Sequence, residues 1–341
     1  MTKRLHELAP QMVDYDSPGV AKLLWVPYVM YHCGFPGVRT PSCSFDGLGY
    51  RITQDDLGRI FSFESLCEGE LIDRTVDLFV GGSTANGVGA TSDGNTIPAM
   101  LSNRGECSVL NMGMRSWTLQ QNLVHFMFLR NRIPSDQKIR RIVLFSGYNE
   151  LNCMFSSRYN TRPFGNIYGW SGYFRNMNHQ FIEDATNEFS FPAPVEDFVR
   201  PVESLDEAGG FLREDFEMIV SNWKLFADSL GAEVTFALQP ILAWLDKSLS
   251  AEEKELLDER AGILPEEAAV FKKEKETYEE WYGGFLRDLA GRFGFEFIDL
   301  NVEFKRRRGD VDGRWLYVDP WHLTDAGNGL VSEILNARIR K

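Results

Sequence analysis

Four short blocks of the sequence carry residues that together could perform acyl transfer. In chain order they are Gly81-Gly82-Ser83-Thr84, Asn111-Met112-Gly113, Gly147-Tyr148-Asn149-Glu150 and Asp319-Pro320-Trp321-His322. A serine hydroxyl can act as nucleophile, glycine and asparagine can offer N–H donors to an oxyanion, and a histidine beside a carboxylate can act as base. The blocks therefore predict a serine-based acyl-transfer site.

Ser83 is the candidate nucleophile. The two glycines before it let the backbone turn sharply after an apolar run at residues 76–80, which would expose the hydroxyl. If a helix begins here, its first N–H groups favour negative charge beside the serine. A plain turn with a helix N-cap explains the same block. A phosphate loop does not, because the glycine spacing matches neither the Walker pattern with its lysine nor the dinucleotide pattern.

Three N–H donors are candidates for an oxyanion hole. They are the backbone amides of Ser83 and Gly113 and the side-chain amide of Asn149. Removing one such donor typically lowers a rate by ~10²–10³. Taken singly, Gly113 and Asn149 are equally well explained as turn residues at strand ends.

His322 is the candidate base, and Asp319 is the carboxylate that would orient it. The two lie three residues apart on one short loop, so Asp319 can accept from one imidazole nitrogen while the other faces Ser83. Asp-Pro also opens a turn, and Thr324 or Asp325 can cap the last helix, which is compatible with catalysis. The remaining histidines, in a helical pattern, the N-terminal region or a long insert, are weaker candidates.

Strand-like apolar runs alternate with helical patterns along the chain. This alternation is typical of a parallel sheet with helices on both faces. We expect strands at residues 76–80, 108–110, 142–145, 234–238 and 295–300, and the clearest helices at 118–130, 213–230, 267–293 and 326–338. Ligands bind beyond the carboxyl ends of such strands. Because Ser83, Gly113 and Asn149 each follow a strand closely, the pattern places them on one rim.

Two regions fall outside the alternation. Residues 1–75 are expected to pack on the core as an extension, and residues 76–341 to form the main domain. An insert at 153–210 is too long for an ordinary connection and is rich in aromatic residues. Candidate substrate-binding residues are Tyr168, Trp170 and Tyr173 of the insert and Tyr148 and Trp321 of the blocks, because aromatic rings stack on sugar faces. A small core of its own or an oligomer interface explains the insert equally well.

Composition narrows the class of protein. A formal net charge of −13 argues against a nucleic-acid-binding surface. We find no secretory signal, and the apolar patch at residues 23–30 is too short to span a bilayer. Five widely spaced cysteines fit neither a disulfide framework nor a zinc pattern, so a cytoplasmic location is expected. The sequence leaves the oligomeric state open.

Two charged regions have simpler interpretations. The stretch at 252–280 is predicted to be an exposed helical face rather than a partner site. The run Lys305-Arg306-Arg307-Arg308 is interpreted as a solvated basic turn, although it could meet an anionic group of a substrate.

The order and chemistry of the four blocks resemble those of the SGNH/GDSL hydrolase superfamily, from about residue 77 to the C-terminus. The resemblance implies a three-layer α/β/α flavodoxin-like fold with a central parallel five-stranded sheet and no metal or organic cofactor. It also implies that Ser83 is the nucleophile, Gly113 and Asn149 oxyanion donors, His322 the base and Asp319 its partner.

Two residues depart from the pattern of that superfamily. Gly82 and Glu150 stand where aspartate is frequent. Neither position carries a proton in the mechanism, so the departures weaken only the assignment to the lipase and lysophospholipase branches. The segments Gly49-Tyr50-Arg51-Ile52 and Gln239-Pro240 resemble subfamilies that modify bacterial glycans.

Three functions stay open at this point. The first is hydrolysis of a carboxylic ester through an acyl-enzyme, with a carbohydrate O-acetyl group or another small-molecule or glycan ester as substrate. The second is O-acyl transfer to a sugar hydroxyl from the same acyl-enzyme. The third is non-catalytic glycan binding, which the presence of all five catalytic residues disfavours.

Overall fold

A five-stranded parallel sheet forms the centre of the molecule. The structure is a computed structural model that describes residues 3–26, 28–104, 107–156, 159–160, 200–201 and 204–339. The strands are β1 (Thr75–Gly81), β2 (Ser108–Gly113), β3 (Lys138–Ser146), β4 (Glu233–Leu238) and β5 (Glu296–Asp299). They lie in the order β5-β4-β3-β1-β2 with every neighbouring pair parallel. This is the flavodoxin-like order, and it confirms the fold class that the sequence predicted.

Helices cover both faces of the sheet. They are α1 (Ser83–Asn86), α2 (Ile97–Arg104), α3 (Leu119–Leu129), α4 (Tyr148–Ser156), α5 (Leu205–Leu230), α6 (Ala251–Ile263), α7 (Glu267–Thr277), α8 (Gly283–Arg292), α9 (Leu300–Arg306) and α10 (Asp325–Ile339). Side chains of a strand alternate between faces. Leu78 and Val80 of β1 accordingly pack in one core with residues of α3, α5 and α8, and Phe79 packs in a second core with residues of α2, α9 and α10.

The expected strands and helices are present, but several boundaries differ: β2 ends at Gly113, β3 begins at Lys138 and α5 begins at Leu205. Leu300 belongs to α9 and not to β5, because the Asp299 carboxylate accepts from the backbone N–H of Asn301 at 3.0 Å and caps the helix. The helix expected at 267–293 is continuous from α7 to α8 through a π turn at Tyr278–Tyr282. Two tyrosine hydroxyls of this turn bind other elements. Tyr278 donates to Asp299 Oδ2 at 2.8 Å, and Tyr282 donates to the Gly147 carbonyl at 2.5 Å.

The segment before β1 is built from short elements. Its helices are Lys3–Leu8, Met12–Tyr15, Pro18–Ala21 and Phe63–Cys67, and its strand pairs are Leu23–Val26 with Met30–Cys33 and Thr53–Gln54 with Ile60–Phe61. A third hydrophobic core joins Met12, Tyr15 and Phe45 of this segment to Val88, Leu256 and Val318. Val88 follows α1, and Val318 precedes Asp319, so this core adjoins both segments that carry candidate site residues.

Much of the expected insert lies outside the described residues. Helix α4 ends at Ser156, the strands Tyr159–Asn160 and Arg200–Pro201 pair antiparallel, and α5 begins at Leu205. Residues 161–199, with Tyr168, Trp170 and Tyr173, are not among those described, so their proposed role stays a prediction. Within the described ranges, no helix has the length and hydrophobicity to cross a membrane, and no group of three or more His, Cys, Asp or Glu side chains is arranged to hold a metal ion.

The expectation of an exposed charged face at 252–280 is wrong at two positions. Helices α6 and α7 are largely exposed, but Glu253 and Glu274 are 1% and 0% exposed. The basic run lies at the surface, as expected, and each of its side chains faces a carboxylate: Lys305 contacts Glu279 at 3.3 Å, Arg306 contacts Glu303 at 2.9 Å, Arg307 contacts Glu333 at 2.6 Å and Arg308 lies 3.7 Å from Asp312.

Candidate active site

Ser83, His322 and Asp319 form a continuous hydrogen-bonded chain at the carboxyl end of the sheet. Ser83 Oγ lies 2.7 Å from His322 Nε2, and His322 Nδ1 lies 2.6 Å from Asp319 Oδ2. Ser83 is the first residue of α1, directly after β1 and Gly82, whereas the other two residues lie on the loop before α10. If Nδ1–H donates to Asp319, Nε2 is left to accept the hydroxyl proton of Ser83. The fold therefore brings together residues 239 positions apart in the order that serine catalysis requires.

Asp319 is held as a carboxylate. Its Oδ1 accepts from the backbone N–H groups of Trp321 at 2.9 Å and His322 at 2.8 Å. Burial alone would raise the pKa of Asp319, but the charge on His322 and these hydrogen bonds outweigh burial and hold that pKa below its usual range. An ionised Asp319 can orient the imidazole and stabilise an imidazolium.

The loop of residues 319–322, here called the base loop, is closed by backbone hydrogen bonds. Val318 N–H donates to the His322 carbonyl at 2.9 Å, and Tyr317 and Leu323 form an antiparallel bridge. Thr324 Oγ1 accepts from Gly327 N–H at 3.2 Å at the start of α10, which confirms the expected cap. His322 is thus presented by a short closed turn.

A buried ion pair supports the segment that enters the base loop. Glu253 Oε1 accepts from the N–H groups of Leu316 at 3.0 Å and Tyr317 at 3.2 Å, and its other oxygen pairs with Lys247 Nζ. Lys247 Nζ also donates to the Arg314 carbonyl at 2.8 Å. Both charged side chains are almost fully buried, at 0% and 1% exposed. Glu253 therefore fixes the backbone two residues before Asp319.

Asn149 brings its side-chain amide beside the residue that precedes Ser83. Its Nδ2 donates to the Trp117 carbonyl at 2.6 Å, and a Cβ built on Gly82 would lie only 2.4 Å from that nitrogen. A side chain at position 82 would displace the amide. The departure of Gly82 from the superfamily pattern thus has a local physical reason, since glycine leaves room for Asn149.

Glu150 holds the turn that carries Asn149. Its oxygens accept from Leu119 N–H at 2.6 Å and Gly147 N–H at 3.1 Å, and from the Ser146 hydroxyl at 3.1 Å. Burial raises the pKa of the Glu150 carboxyl, against the effect of these hydrogen bonds. The carboxyl ties the end of β3 to the start of α3.

The expected oxyanion role of Gly113 stays a prediction. Its N–H donates to Asn111 Oδ1 at 2.9 Å, so the amide is already engaged inside the fold. A Cβ at Gly113 would lie 2.2 Å from the backbone nitrogen of Asn86 and 2.5 Å from the carbonyl carbon of Ala85. Glycine is required here because α1 packs against the end of β2, and we leave Gly113 out of the donor set.

Tyr148 and Trp321 form a wall beside His322. Trp321 Nε1 donates to the Tyr148 hydroxyl, and the Tyr148 hydroxyl lies 3.3 Å from Glu274 Oε2. Asn152 Nδ2 donates to Glu274 Oε1 at 2.6 Å. Burial raises the pKa of Glu274 to about 7, although the hydrogen bonds from Asn152 and Tyr148 oppose it. The chain of contacts fixes the indole plane next to His322.

Side chains from α6 and α7 complete this wall. The Arg260 guanidinium lies 4.6 Å from the centre of the Trp321 ring, and the Phe271 ring lies 5.7 Å from it. Arg260 is also paired with Glu267 through two short contacts of 2.6 and 2.7 Å. Because Trp321 is only partly buried, the result is an aromatic shelf with a fixed cation on one side.

The sequence does not predict the structural roles of three residues, Glu253, Glu150 and Arg51. Glu253 was detectable, because Ser250-x-x-Glu253 is a capping-box pattern, and the structure shows that box at the start of α6. The pattern gives Glu150 no chemical role, because its position carries no proton in the mechanism. Arg51 belongs to a short resemblance, and no pattern in the sequence indicates its structural partners.

Comparisons with known proteins find similarity among solved structures only. No protein-family model matches the chain, and no curated protein matches it. An acetyl xylan esterase called AlAXEase is matched at 15% identity and a TM-score of 0.42, over 78% of this chain and 99% of that one. The acetylxylan esterase Axe2 from Geobacillus stearothermophilus is matched at 12% identity and a TM-score of 0.42, over 78% of this chain and 94% of that one. A putative lipolytic protein of the G-D-S-L family from Desulfitobacterium hafniense DCB-2 is matched at 14% identity and a TM-score of 0.38, over 77% and 98%. We base the proposed function on the geometry of the site, since similarities this distant transfer no activity.

Proposed function

We propose that this chain is a serine ester hydrolase that forms an acyl-enzyme on Ser83. The observation that carries the proposal is the pair of contacts made by His322. Its Nε2 lies 2.7 Å from Ser83 Oγ, and its Nδ1 lies 2.6 Å from Asp319 Oδ2. Both lie within the range in which a base can accept a proton from a nucleophile.

In the first half-reaction the acyl group moves from the substrate to Ser83. The Ser83 oxygen attacks the ester carbonyl carbon while its proton passes to His322 Nε2. The tetrahedral intermediate then collapses, the bond to the alkoxy oxygen breaks, and the departing alcohol takes the proton from His322. Asp319 stays ionised and stabilises the imidazolium, in keeping with its lowered pKa.

Water completes the cycle in the second half-reaction. His322 takes a proton from water as the water oxygen attacks the acyl carbon, and it returns that proton to Ser83 Oγ as the acyl–serine bond breaks. The products are the carboxylic acid and the free serine. Transfer of the acyl group to a sugar hydroxyl would use the same steps with that hydroxyl in place of water.

Two donors are proposed to stabilise the oxyanion. They are the backbone N–H of Ser83 and the side-chain amide of Asn149, which packs against Gly82. A primary amide nitrogen carries two hydrogens. In the proposal Asn149 Nδ2, which donates to the Trp117 carbonyl, also donates to the developing charge.

The alcohol part of the ester is proposed to lie on the shelf formed by Trp321 and Phe271. An aromatic face next to the base suits the apolar face of a sugar ring, and the nearby Arg260 suits its hydroxyls. A carbohydrate ester is therefore our preferred substrate class, with other small esters accepted more weakly.

Covalent labelling tests the proposal directly. A fluorophosphonate should add once to the wild-type protein, peptide mass spectrometry should place it on Ser83, and Ser83→Ala should lose both labelling and hydrolysis of p-nitrophenyl acetate. Ser221→Ala, on the outer surface of α5, is the matched control and should behave as wild type. Label on another residue, or full activity of Ser83→Ala, would contradict the proposal. Product analysis with an added sugar acceptor separates hydrolysis from transfer.

A further inference from the structure

Arg51 is a fully buried cation in the segment before β1. Its side chain is 0% exposed, and its Nε donates to Asp93 Oδ1 at 2.9 Å. A buried charge is retained only when it is paired and hydrogen-bonded. Asp93 provides the opposite charge, and four further acceptors complete the set, so the position of the guanidinium is fixed from several directions.

Two of those acceptors belong to the end of α1. One nitrogen of Arg51 donates to the Gly87 carbonyl at 2.8 Å and the Asn86 carbonyl at 3.3 Å. The last carbonyls of a helix have no partner within the helix itself. Arg51 supplies that partner for the one-turn helix that begins with Ser83.

The other acceptors tie the guanidinium to the N-terminal segment. It donates to the Tyr15 hydroxyl at 2.7 Å and to the Ser42 carbonyl at 2.6 Å. The Tyr15 hydroxyl in turn lies 2.9 Å from both the Gly87 and Ala90 carbonyls. Arg51 and Tyr15 therefore contact the same turn at the C-terminal end of α1.

We propose that Arg51 is a positioning residue for Ser83, and that the segment before β1 thereby takes part in aligning the nucleophile with His322. The inference rests on the proposed function. It differs from simple packing because Arg51 contacts the backbone of the very turn that carries the serine, at its opposite end.

The length of α1 makes this coupling direct. The Ser83 carbonyl accepts from Gly87 N–H at 3.0 Å and Val88 N–H at 3.1 Å, so Ser83 and the residue held by Arg51 belong to one hydrogen-bonded turn. A displacement at Gly87 is passed to Ser83 with no intervening flexible residue. Since a misplacement of about 1 Å can cost ~10²-fold in rate, losing this anchor should lower kcat.

The test compares Arg51→Met with a buried arginine distant from α1. Arg141 is 8% exposed, lies on β3 and donates to the Ile339 carbonyl at 2.6 Å, so Arg141→Met removes a similar anchor elsewhere. We expect Arg51→Met to lower kcat for p-nitrophenyl acetate and the fluorophosphonate labelling rate by about 10- to 100-fold, with KM nearly unchanged. Arg51→Lys, which keeps the charge, should recover part of both. Arg141→Met should lose thermal stability and keep kcat.

The outcomes separate this inference from the proposed function. If wild type neither labels at Ser83 nor hydrolyses esters, the proposed function fails. If wild type reacts and folded Arg51→Met reacts equally fast, or if Arg141→Met slows equally, the positioning role is overturned. If both Arg51 variants fail to fold, Tyr15→Phe is the deciding variant. It removes a hydroxyl that contacts the same turn, and an unchanged kcat would overturn the inference.

Discussion

The two halves of the candidate triad are anchored by buried charges that work in different ways. On the serine side, Arg51 donates directly to the backbone of α1 at Asn86 and Gly87. On the histidine side, Glu253 accepts from Leu316 and Tyr317, which precede the base loop. The first anchor acts on the helix that carries Ser83, whereas the second acts on the segment that leads to the base loop.

The two elements differ in how far their own internal hydrogen bonds stabilise them. Helix α1 has a single turn, and its last carbonyls depend on outside donors. The base loop has its own closure through the Val318 to His322 hydrogen bond and the contacts of Asp319 with Trp321 and His322. Loss of an anchor should therefore reduce rate on the serine side and mainly stability on the histidine side.

The largest effect should come from removing the base itself. His322→Ala leaves Ser83 Oγ without its proton acceptor, so kcat should fall by about 10⁴-fold or more, as far as in Ser83→Ala. Steady-state hydrolysis of p-nitrophenyl acetate measures this. His6→Ala, which loses a surface contact with Asp16, is the control. A loss of less than about tenfold would exclude His322 as the base.

Asp319→Asn should be severe but incomplete. The amide can still accept a backbone hydrogen bond, but it favours the wrong imidazole tautomer, so kcat should fall by up to about 10⁴-fold. Asp325→Asn changes a nearby carboxylate that accepts from Thr91 and does not contact His322, and it should leave kcat unchanged. Equal activity of the two variants would show that Asp319 does not orient the base.

Asn149→Ala tests the donor next to Gly82. Loss of one oxyanion donor should lower kcat by about 10²–10³-fold with little change in KM. Asn152→Ala removes an amide from the same helix that contacts Glu274 instead, and its kcat loss should be far smaller. A change confined to KM in Asn149→Ala would assign that side chain to substrate binding.

Glu253→Gln addresses the histidine-side anchor. It leaves Lys247 buried without its charge partner, so the free energy of unfolding should fall by about 3–5 kcal/mol. The loss in kcat should stay below about tenfold, or about 1.4 kcal/mol, because the base loop is closed by its own contacts. Urea unfolding and kcat are measured together, with the exposed Glu255→Gln as control. A kcat loss as large as that of Arg51→Met would remove the contrast between the two anchors.

The smallest effect on rate is expected from Glu274→Gln, which acts on stability as pH changes. Burial raises the pKa of Glu274 from 4.5 to about 7, so its contribution is fully present below pH 4.5 and is lost as pH rises through 7. Between pH 5 and 8 the wild type should therefore lose up to about 3 kcal/mol more unfolding free energy than Glu274→Gln. Glu276→Gln, an exposed change on the same helix, should follow the wild type. Identical pH dependence in Glu274→Gln would contradict the argument.

The sequence was a good guide to the parallel sheet and to the triad candidates. Strand periodicity and the positions of Ser83, Asn149 and His322 after strands or before the last helix are local signals, and parallel topology converts them into one rim. Gly113 shows where the sequence pattern is ambiguous, because a glycine after a strand has two physical uses. A glycine that offers its amide to a ligand and a glycine that permits close packing look identical in a sequence.

The supporting charges were hidden for another reason. Arg51 and Glu274 make contacts across 30 or more positions of the chain, and their burial depends on what the tertiary fold places around them. A charged residue in a charged stretch is normally solvated, so the pattern around Glu274 argued for exposure. Only the packing of α7 against α4 reverses that expectation.

The π turn between α7 and α8 makes the length of the chain a determinant of the wall beside His322. The turn follows Glu274, which contacts Tyr148, and ends at Tyr282, whose hydroxyl donates to the Gly147 carbonyl. A π turn contains one residue more than an α-helical path needs. Deleting one residue there would rotate Phe271 and Glu274 by about 100° relative to α8 and carry both away from Trp321. Insertions and deletions at this turn, as well as substitutions, can therefore change which groups stand next to the base.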